Sequence, residues 1–342
     1  MKTRISALLL LALALLLGAC SSSGGSGSAK TGGAAGSVAP SDSAPASQSS
    51  PASAAASSSA PSSQTSAPAR TVRVTSLNSD GETYGVGMPI VLYFSPPPTD
   101  SSAFTKAVKV TVNGQPANGA WNWSQPTADE VKANVVEAHY RPPNYWPGHA
   151  KVHVAIPIGG LSAGKGLVYS DKLTSLDFNI GPKHVSLVNG SGEKMRVYSD
   201  GQLVRTLQVS LGKAKTPTYT GVKVVMQKGE QVPGSSKLRP DGAVRMRGPG
   251  YDEIVDWSVR ITQSGEYVHA APWNSRIGQA STSNGCTNLS VADAKWYYGF
   301  ARIGDVLQYA NTGGKPMRPS DGFGDWNVPW SVWQEGGLLP NH

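Results

Sequence analysis

The stretch STSNGCTNLS, Ser281 to Ser290, sets a single cysteine, Cys286, between Asn284-Gly285 and Thr287-Asn288. A polar, glycine-containing loop is a poor place for a thiol that fills a core and a good one for a thiol that attacks a carbonyl. Near neutral pH that chemistry needs a base beside the thiol and an acceptor that orients the base. Of the six histidines, His139, His149, His153, His184, His269 and His342, only His269 lies in the strand-rich stretch leading to the cysteine, 17 residues before it. A strand through His269, the turn-rich PWNSRIGQASTS and a return would bring the two together for nucleophilic acyl transfer. His149 and His153 are read as sharing a strand face but standing too far apart to chelate one ion, so they are surface histidines and no metal or cofactor is expected.

The elements around this pair begin with an export signal. In MKTRISALLLLALALLLGAC, Lys2 and Arg4 precede an apolar run from Ala7 to Leu17. That run is too short to span a bilayer and reads as the core of a signal peptide over residues 1–19. Leu17-Gly18-Ala19-Cys20 resembles the bacterial lipobox, where cleavage exposes the cysteine for acylation, so Cys20 is expected to anchor the protein in the cell membrane, facing the wall. The chain has two cysteines in all. With Cys20 acylated, Cys286 has no intramolecular disulfide partner in a compartment where disulfides are normal. From Ser21 to Ala69 the sequence is mostly Ser, Ala, Gly, Pro and Thr, with Lys30 and Asp42 its only charges. Such a segment cannot bury a core, and 20–69 reads as a lipidated cysteine followed by a disordered tether, roughly 40 Å end to end. The formal charge of +8 falls to +6 once Lys2 and Arg4 are removed. A basic exported protein points either to the anionic cell envelope as partner, rather than nucleic acid, or to a charge that serves solubility alone.

Residues 70–181 carry short alternating runs, TVRVTS, PIVLYFS, VKVTVNG, ANVVEAHY, AKVHVAIPI and LDFNI, separated by Pro, Gly and Asn. They predict a β-sandwich of immunoglobulin type. A second domain is expected over 182–320. In it MRVYSDGQLVRTLQVSLG predicts a hairpin turning at Asp200-Gly201, and KVVMQ, DWSVRIT, GEYVHAA and DVLQYAN predict further strands. One strong helix is expected, starting at Ser290, whose S-x-x-D pattern with Asp293 is a capping box, and fading at Ile303-Gly304. Residues 321–342 are expected to pack as a tail on the second domain. The fold class is thus mainly β, with the candidate nucleophile on a loop entering the principal helix.

Taken together, GEYVHAAPW, STSNGCTNLS, DAKWYY and GDWNVPW resemble the L,D-transpeptidases of the YkuD type, in the actinobacterial form with immunoglobulin-like domains ahead of the catalytic one. The resemblance covers most of the chain after residue 71. It implies cross-linking of peptidoglycan stem peptides and covalent inhibition by β-lactams of the carbapenem class. It implies Cys286 as nucleophile, His269 as its base and the backbone carbonyl of Ala270 as the orienting acceptor, where the family commonly has serine. Backbone N–H groups at Gly285 and Cys286 become candidates for the oxyanion hole, glycine permitting the dihedrals such a loop needs. Trp273, Ser283, Asn284 and Asn288 match positions lining the family's site, and the segment from about Lys228 to Tyr251 its lid. Where the family often reads Ser-His-Gly-Cys, this chain has Ser283-Asn284-Gly285-Cys286, so a second imidazole is absent.

Three other readings are weaker. A sortase would carry Thr-Leu-x-Thr-Cys, which is missing. A penicillin-binding serine enzyme needs Ser-x-x-Lys opening a helix, and Ser162/Lys165, Ser191/Lys194 and Ser210/Lys213 open none. A non-catalytic wall-binding lipoprotein would use the sandwich and the basic surface and leave Cys286 incidental.

Overall fold

Alternating apolar residues turn the first part of the chain into strands that share one core. In the computed structural model, which describes residues 69–126, 134–233, 235–248 and 251–339, these are β1 (Arg70–Ser76), β2 (Thr83–Tyr84), β3 (Ile90–Ser95), β4 (Lys109–Val112), β5 (Gln115–Pro116), β6 (Ala120–Ser124), β7 (Val136–Arg141), β8 (Lys151–Ala155), β9 (Leu167–Tyr169) and β10 (Ser175–Ile180). The expected signal peptide, Cys20 and almost all of the expected tether lie outside the described residues. One sheet runs β6-β7-β3-β1-β9 and the other β2-β10-β8-β4-β5. Between them Phe94 packs edge-on to Phe104 and against Trp123, and the short helix α1 (Ser102–Ala107) delivers Phe104 to that cluster. Each such buried side chain contributes about 1.5–3 kcal/mol. The immunoglobulin-like sandwich expected from the sequence is therefore present, with four short strands (β2, β5, β6, β9) that its alternation did not reveal.

The catalytic half follows with β11 (His184–Asn189), β12 (Lys194–Ser199), β13 (Gln202–Gln208), β14 (Gly221–Val224), β15 (Gln227–Lys228), β16 (Val244–Gly248), β17 (Tyr251–Val255), β18 (Val259–Arg260), β19 (Tyr267–Ala270), β20 (Thr287–Leu289), the helix α2 (Val291–Phe300) and β21 (Val306–Ala310). The β12–β13 hairpin turns at Asp200-Gly201, both with positive φ (49° and 83°), the geometry an Asp-Gly pair favours. A five-stranded sheet, β13-β12-β11-β21-β14, faces a four-stranded one, β15-β18-β19-β20. Val197, Leu207, Val225, Ile261, Val268, Leu289 and Leu307 fill the space between them. Helix α2 starts where the capping box requires: Ser290 Oγ accepts from the Asp293 N–H at 3.1 Å. It closes one end of this core with Ala294 and Tyr297.

The two halves share packing. Val224 and Val306 belong to the core of the sandwich, and Gly85 and Gly87 donate backbone N–H groups to Ile303 and Gly304 at 2.8 Å. The C-terminal tail, expected to pack on the catalytic domain, touches that half and the sandwich as well. Asn327 clasps both backbone groups of Val222 on β14. On either side of it, Trp326 and Trp333 donate their indole N–H groups to Gly87 and Ala120 of the sandwich half. Arg141 lies over the rings of Trp326, Trp330 and Trp333, the last two in the short helix α3 (Trp330–Trp333). Tryptophans need apolar cover and acceptors for their indole N–H groups, and the sandwich half supplies both to Trp326 and Trp333. Beneath them His139 sits between Asp325 and Glu137. Burial alone would lower its pKa, but the two carboxylates outweigh that and raise it to about 10, so this joint holds an imidazolium.

His149 also differs from expectation. It stands in a turn before β8 with φ of 60°, not on the strand with His153. Each of the two takes its own carboxylate, Asp200 at 3.1 Å and Asp177 at 2.8 Å. Among the described residues no three His, Cys, Asp or Glu side chains gather as a metal-binding group.

Candidate active site

β19 and β20 are parallel neighbours in the register Val268↔Thr287, His269↔Asn288, Ala270↔Leu289. Side chains alternate across a sheet, so Val268, Ala270, Thr287 and Leu289 turn inward, while His269, Asn288 and, one step before β20, Cys286 share the opposite face. That face opens on a cavity of about 390 Å³. Cys286, His269, Trp273, Ser283, Asn284 and Asn288 all line it, so the structure brings together the residues that the sequence could only match by motif. Ala270 points its methyl group into the core, yet its carbonyl oxygen accepts the His269 Nδ1–H at 2.7 Å. This bond fixes the tautomer and leaves Nε2 as the proton acceptor.

His269 is 4% exposed, and burial pushes its pKa down to about 4, the Ala270 carbonyl only partly offsetting it. The imidazole is thus neutral at any pH above that value. Burial likewise pushes the Cys286 thiol up to about 11. The Tyr267 N–H and the Lys223 ammonium pull it down, and the Glu266 carboxylate adds to the rise. Although the residue as a whole is half-buried, its sulfur is recessed and donates toward the Gly265 carbonyl at 3.8 Å. The resting pair is therefore a thiol and a neutral imidazole.

The loop that carries Cys286 is held from several sides. Ser283 Oγ donates to the Cys286 carbonyl at 2.6 Å, and Thr218 Oγ1 to the Gly285 carbonyl at 2.7 Å. Gly285 has φ of 122°, a conformation that a side chain would strain. Its N–H donates to Ser283 Oγ at 3.1 Å. That bond competes with the oxyanion-binding role expected of the Gly285 N–H, because a donor already used inside the loop must first release its acceptor. Asn288, expected among substrate contacts, also serves the base: its amide donates to His269 Nε2 at 3.0 Å and accepts from Asn274 Nδ2 at 3.1 Å. Trp273 is 57% exposed and stacks near the His269 ring, 6.2 Å between centroids. Asn284 is exposed at the rim.

The β16–β17 hairpin closes one side with Met246, Tyr251, Glu253 and Val255. This wall reaches beyond the segment expected as a lid, of which residues 234, 249 and 250 lie outside the described residues. Sequence reasoning also missed Arg276, which lines the cavity, and the buried Lys223 and Glu266. The available signal for Lys223 was a charged residue at an inward position of a short apolar strand.

Residues 183–308 match the family of the L,D-transpeptidase catalytic domain, and residues 43–162 the bacterial Ig domain. L,D-transpeptidase 1 of Mycobacterium tuberculosis is 32% identical over 231 residues, 67% of this chain and 81% of that protein. This chain belongs to the L,D-transpeptidase family. L,D-transpeptidase 2 of Mycobacterium tuberculosis is 33% identical over 274 residues, 80% of this chain, which spans only 64% of that relative's length. Among solved structures, that of LD transpeptidase LdtMt1 in complex with imipenem superposes with a TM-score of 0.54 at 26% identity, covering 71% of this chain and all of that one. The cavity-lining residues described above, Met246 to Asn288, fall inside the matched residues 183–308.

Proposed function

We propose that this chain is a peptidoglycan L,D-transpeptidase that forms three-to-three cross-links through a thioester on Cys286. The observation that carries the reading is the placement of Cys286 and His269 on adjacent parallel strands in one cavity, with the imidazole tautomer fixed by Ala270. The Asn288 amide releases His269 Nε2, and the thiol turns from Gly265 and passes its proton to that nitrogen as sulfur attacks the carbonyl carbon of the third residue of a donor tetrapeptide stem. The carbon–nitrogen bond breaks, and D-alanine leaves with the proton from Nε2. An amine on the third residue of a neighbouring stem then attacks the thioester, giving up a proton through His269 to regenerate the thiol. Catalysis needs no cofactor in this scheme.

Intact-mass analysis after incubation with a carbapenem tests the proposal. One covalent adduct is expected, mapping to the peptide that contains Cys286, in keeping with the imipenem complex of the structural neighbour. An unmodified mass would favour the non-catalytic wall-binding reading.

We propose further that the protein is exported and held on the membrane by an acylated Cys20, so that the site faces the wall. Cys20→Ala is expected to move the protein from the membrane to the soluble fraction while the isolated folded part keeps its adduct formation. Unchanged membrane retention would remove the anchor.

A further inference from the structure

Directly behind the nucleophile loop lies an ion pair that the chemistry above does not use. Lys223, on β14, is wholly buried, and its Nζ donates to Oε2 of Glu266, which is 7% exposed. Each member is tied further. Glu266 Oε1 accepts the Tyr219 N–H at 2.8 Å, and the Glu266 N–H donates to Thr262 Oγ1 at 2.8 Å. Lys223 Nζ stands 3.8 Å from the centroid of the Tyr309 ring, and the Tyr309 hydroxyl bonds Thr287, the residue after Cys286, at 2.7 Å. Two buried charges cost several kcal/mol each to desolvate, so a pair kept in the interior of a small sheet invites a reason beyond stability.

The reason lies in what Glu266 holds. Its two chain neighbours supply the groups that meet the Cys286 sulfur: the Gly265 carbonyl accepts the thiol proton, and the Tyr267 N–H favours the thiolate. A side chain added at Gly285 would touch the Glu266 carboxylate at 3.7 Å, so the pair also backs the loop itself. We propose that the buried Lys223–Glu266 pair is a positioning device for the nucleophile, fixing the Gly265–Tyr267 backbone around the sulfur and placing a cation where it offsets the carboxylate as the thiol ionises. This rests on Cys286 being the nucleophile.

The groups that face the thiol define the field it sees. From behind these are Lys223, Glu266 and Tyr309, with Asp321 acting on the pair. On its own sheet they are Tyr267 and His269, and around the cavity Tyr251, Glu253 and Arg276. Lys223 is the cation among those behind the loop. Without it, the Glu266 carboxylate faces the forming thiolate uncompensated, and like charges at this range disfavour ionisation.

Iodoacetamide alkylation reads the thiolate directly and does not depend on transpeptidation. At pH 9, below the Cys286 pKa of about 11, Lys223→Met is expected to alkylate about tenfold more slowly than the parent, the equivalent of one pKa unit. Lys223→Met/Glu266→Gln, which removes both charges, is expected to return to within about twofold. Lys223→Gln keeps a hydrogen bond to the carboxylate without the charge and carries the same prediction if the methionine variant does not fold. A pair that merely holds strands together would change the melting temperature and leave the alkylation rate alone. That result, or a double variant as slow as the single one, overturns the proposal. Carbapenem adduct formation by the parent protein tests the nucleophile assignment separately.

Discussion

Cys286→Ala is expected to abolish both stem-peptide cross-linking and the covalent carbapenem adduct while the protein stays folded. The substitution removes the one thiol among the described residues, and with it the atom proposed to form the thioester. Removing the nucleophile of a unit that acts together typically costs on the order of 10⁴-fold or more, which puts residual turnover below detection. The stability cost is small by comparison, about 1 kcal/mol, because the sulfur lies at a cavity wall rather than in the main core and alanine leaves the loop's anchors in place. Those anchors are the Ser283 and Thr218 hydroxyl bonds to the Cys286 and Gly285 carbonyls, neither of which uses the thiol. Intact mass and thermal unfolding measured on the same sample check both halves. An adduct that survived in a folded Cys286→Ala variant would place the acylated nucleophile elsewhere and remove the mechanism.

The two ends of the chemistry were legible in the sequence because each is marked locally. A cysteine in a glycine-flanked loop, a histidine in an alternating strand and a capping box at Ser290 are all readable within ten residues. The register that joins them was not. Nothing in GEYVHAA or CTNLS states that these strands are parallel neighbours with His269 opposite Asn288, yet that pairing decides which side chains share the cavity. The same limit explains the tail. GDWNVPW has the composition of a segment seeking cover, but whether its tryptophans find it on the near domain or the far one depends on where the sandwich edge lies in space.

Buried polar groups were the hardest to foresee. Lys223 and Glu266 stand 43 positions apart in the sequence, and a charged residue in a strand is ordinarily taken to face solvent. The role of Asn288 was hidden for a related reason. A motif match assigns the position to the site but cannot say that its amide points at the base. Gly285 is the converse case: its dihedral was anticipated from its residue type, while the use of its N–H by Ser283 follows only from the loop's closure.

His269→Ala is expected to slow carbapenem acylation by about a hundredfold or more at pH 7, the usual contribution of a general base, whereas Asn284→Ala is expected to cost only a few-fold. Asn284 is exposed at the cavity rim, and its amide cannot accept a proton near neutral pH, so it has no means of activating the thiol. Asn284→His should likewise keep substantial activity, since the base is already present. The pH dependence separates these cases more sharply than any single rate. In the parent protein the His269 pKa is depressed to about 4 and the Cys286 pKa raised to about 11, so the reactive combination of neutral imidazole and thiol is fully populated between those values. Acylation should therefore be nearly flat from about pH 5 to 9 and be lost as the pH falls through 4, when the base is protonated. Without the imidazole, only thiolate already formed by solvent can attack. The His269→Ala rate should then climb about tenfold for each pH unit up to the thiol pKa, because the thiolate fraction does. Stopped-flow acylation of the parent, His269→Ala and Asn284→Ala across that range gives the three profiles. If Asn284→Ala showed the same steep climb as His269→Ala, the two residues would form one catalytic unit and a single base at His269 would be untenable.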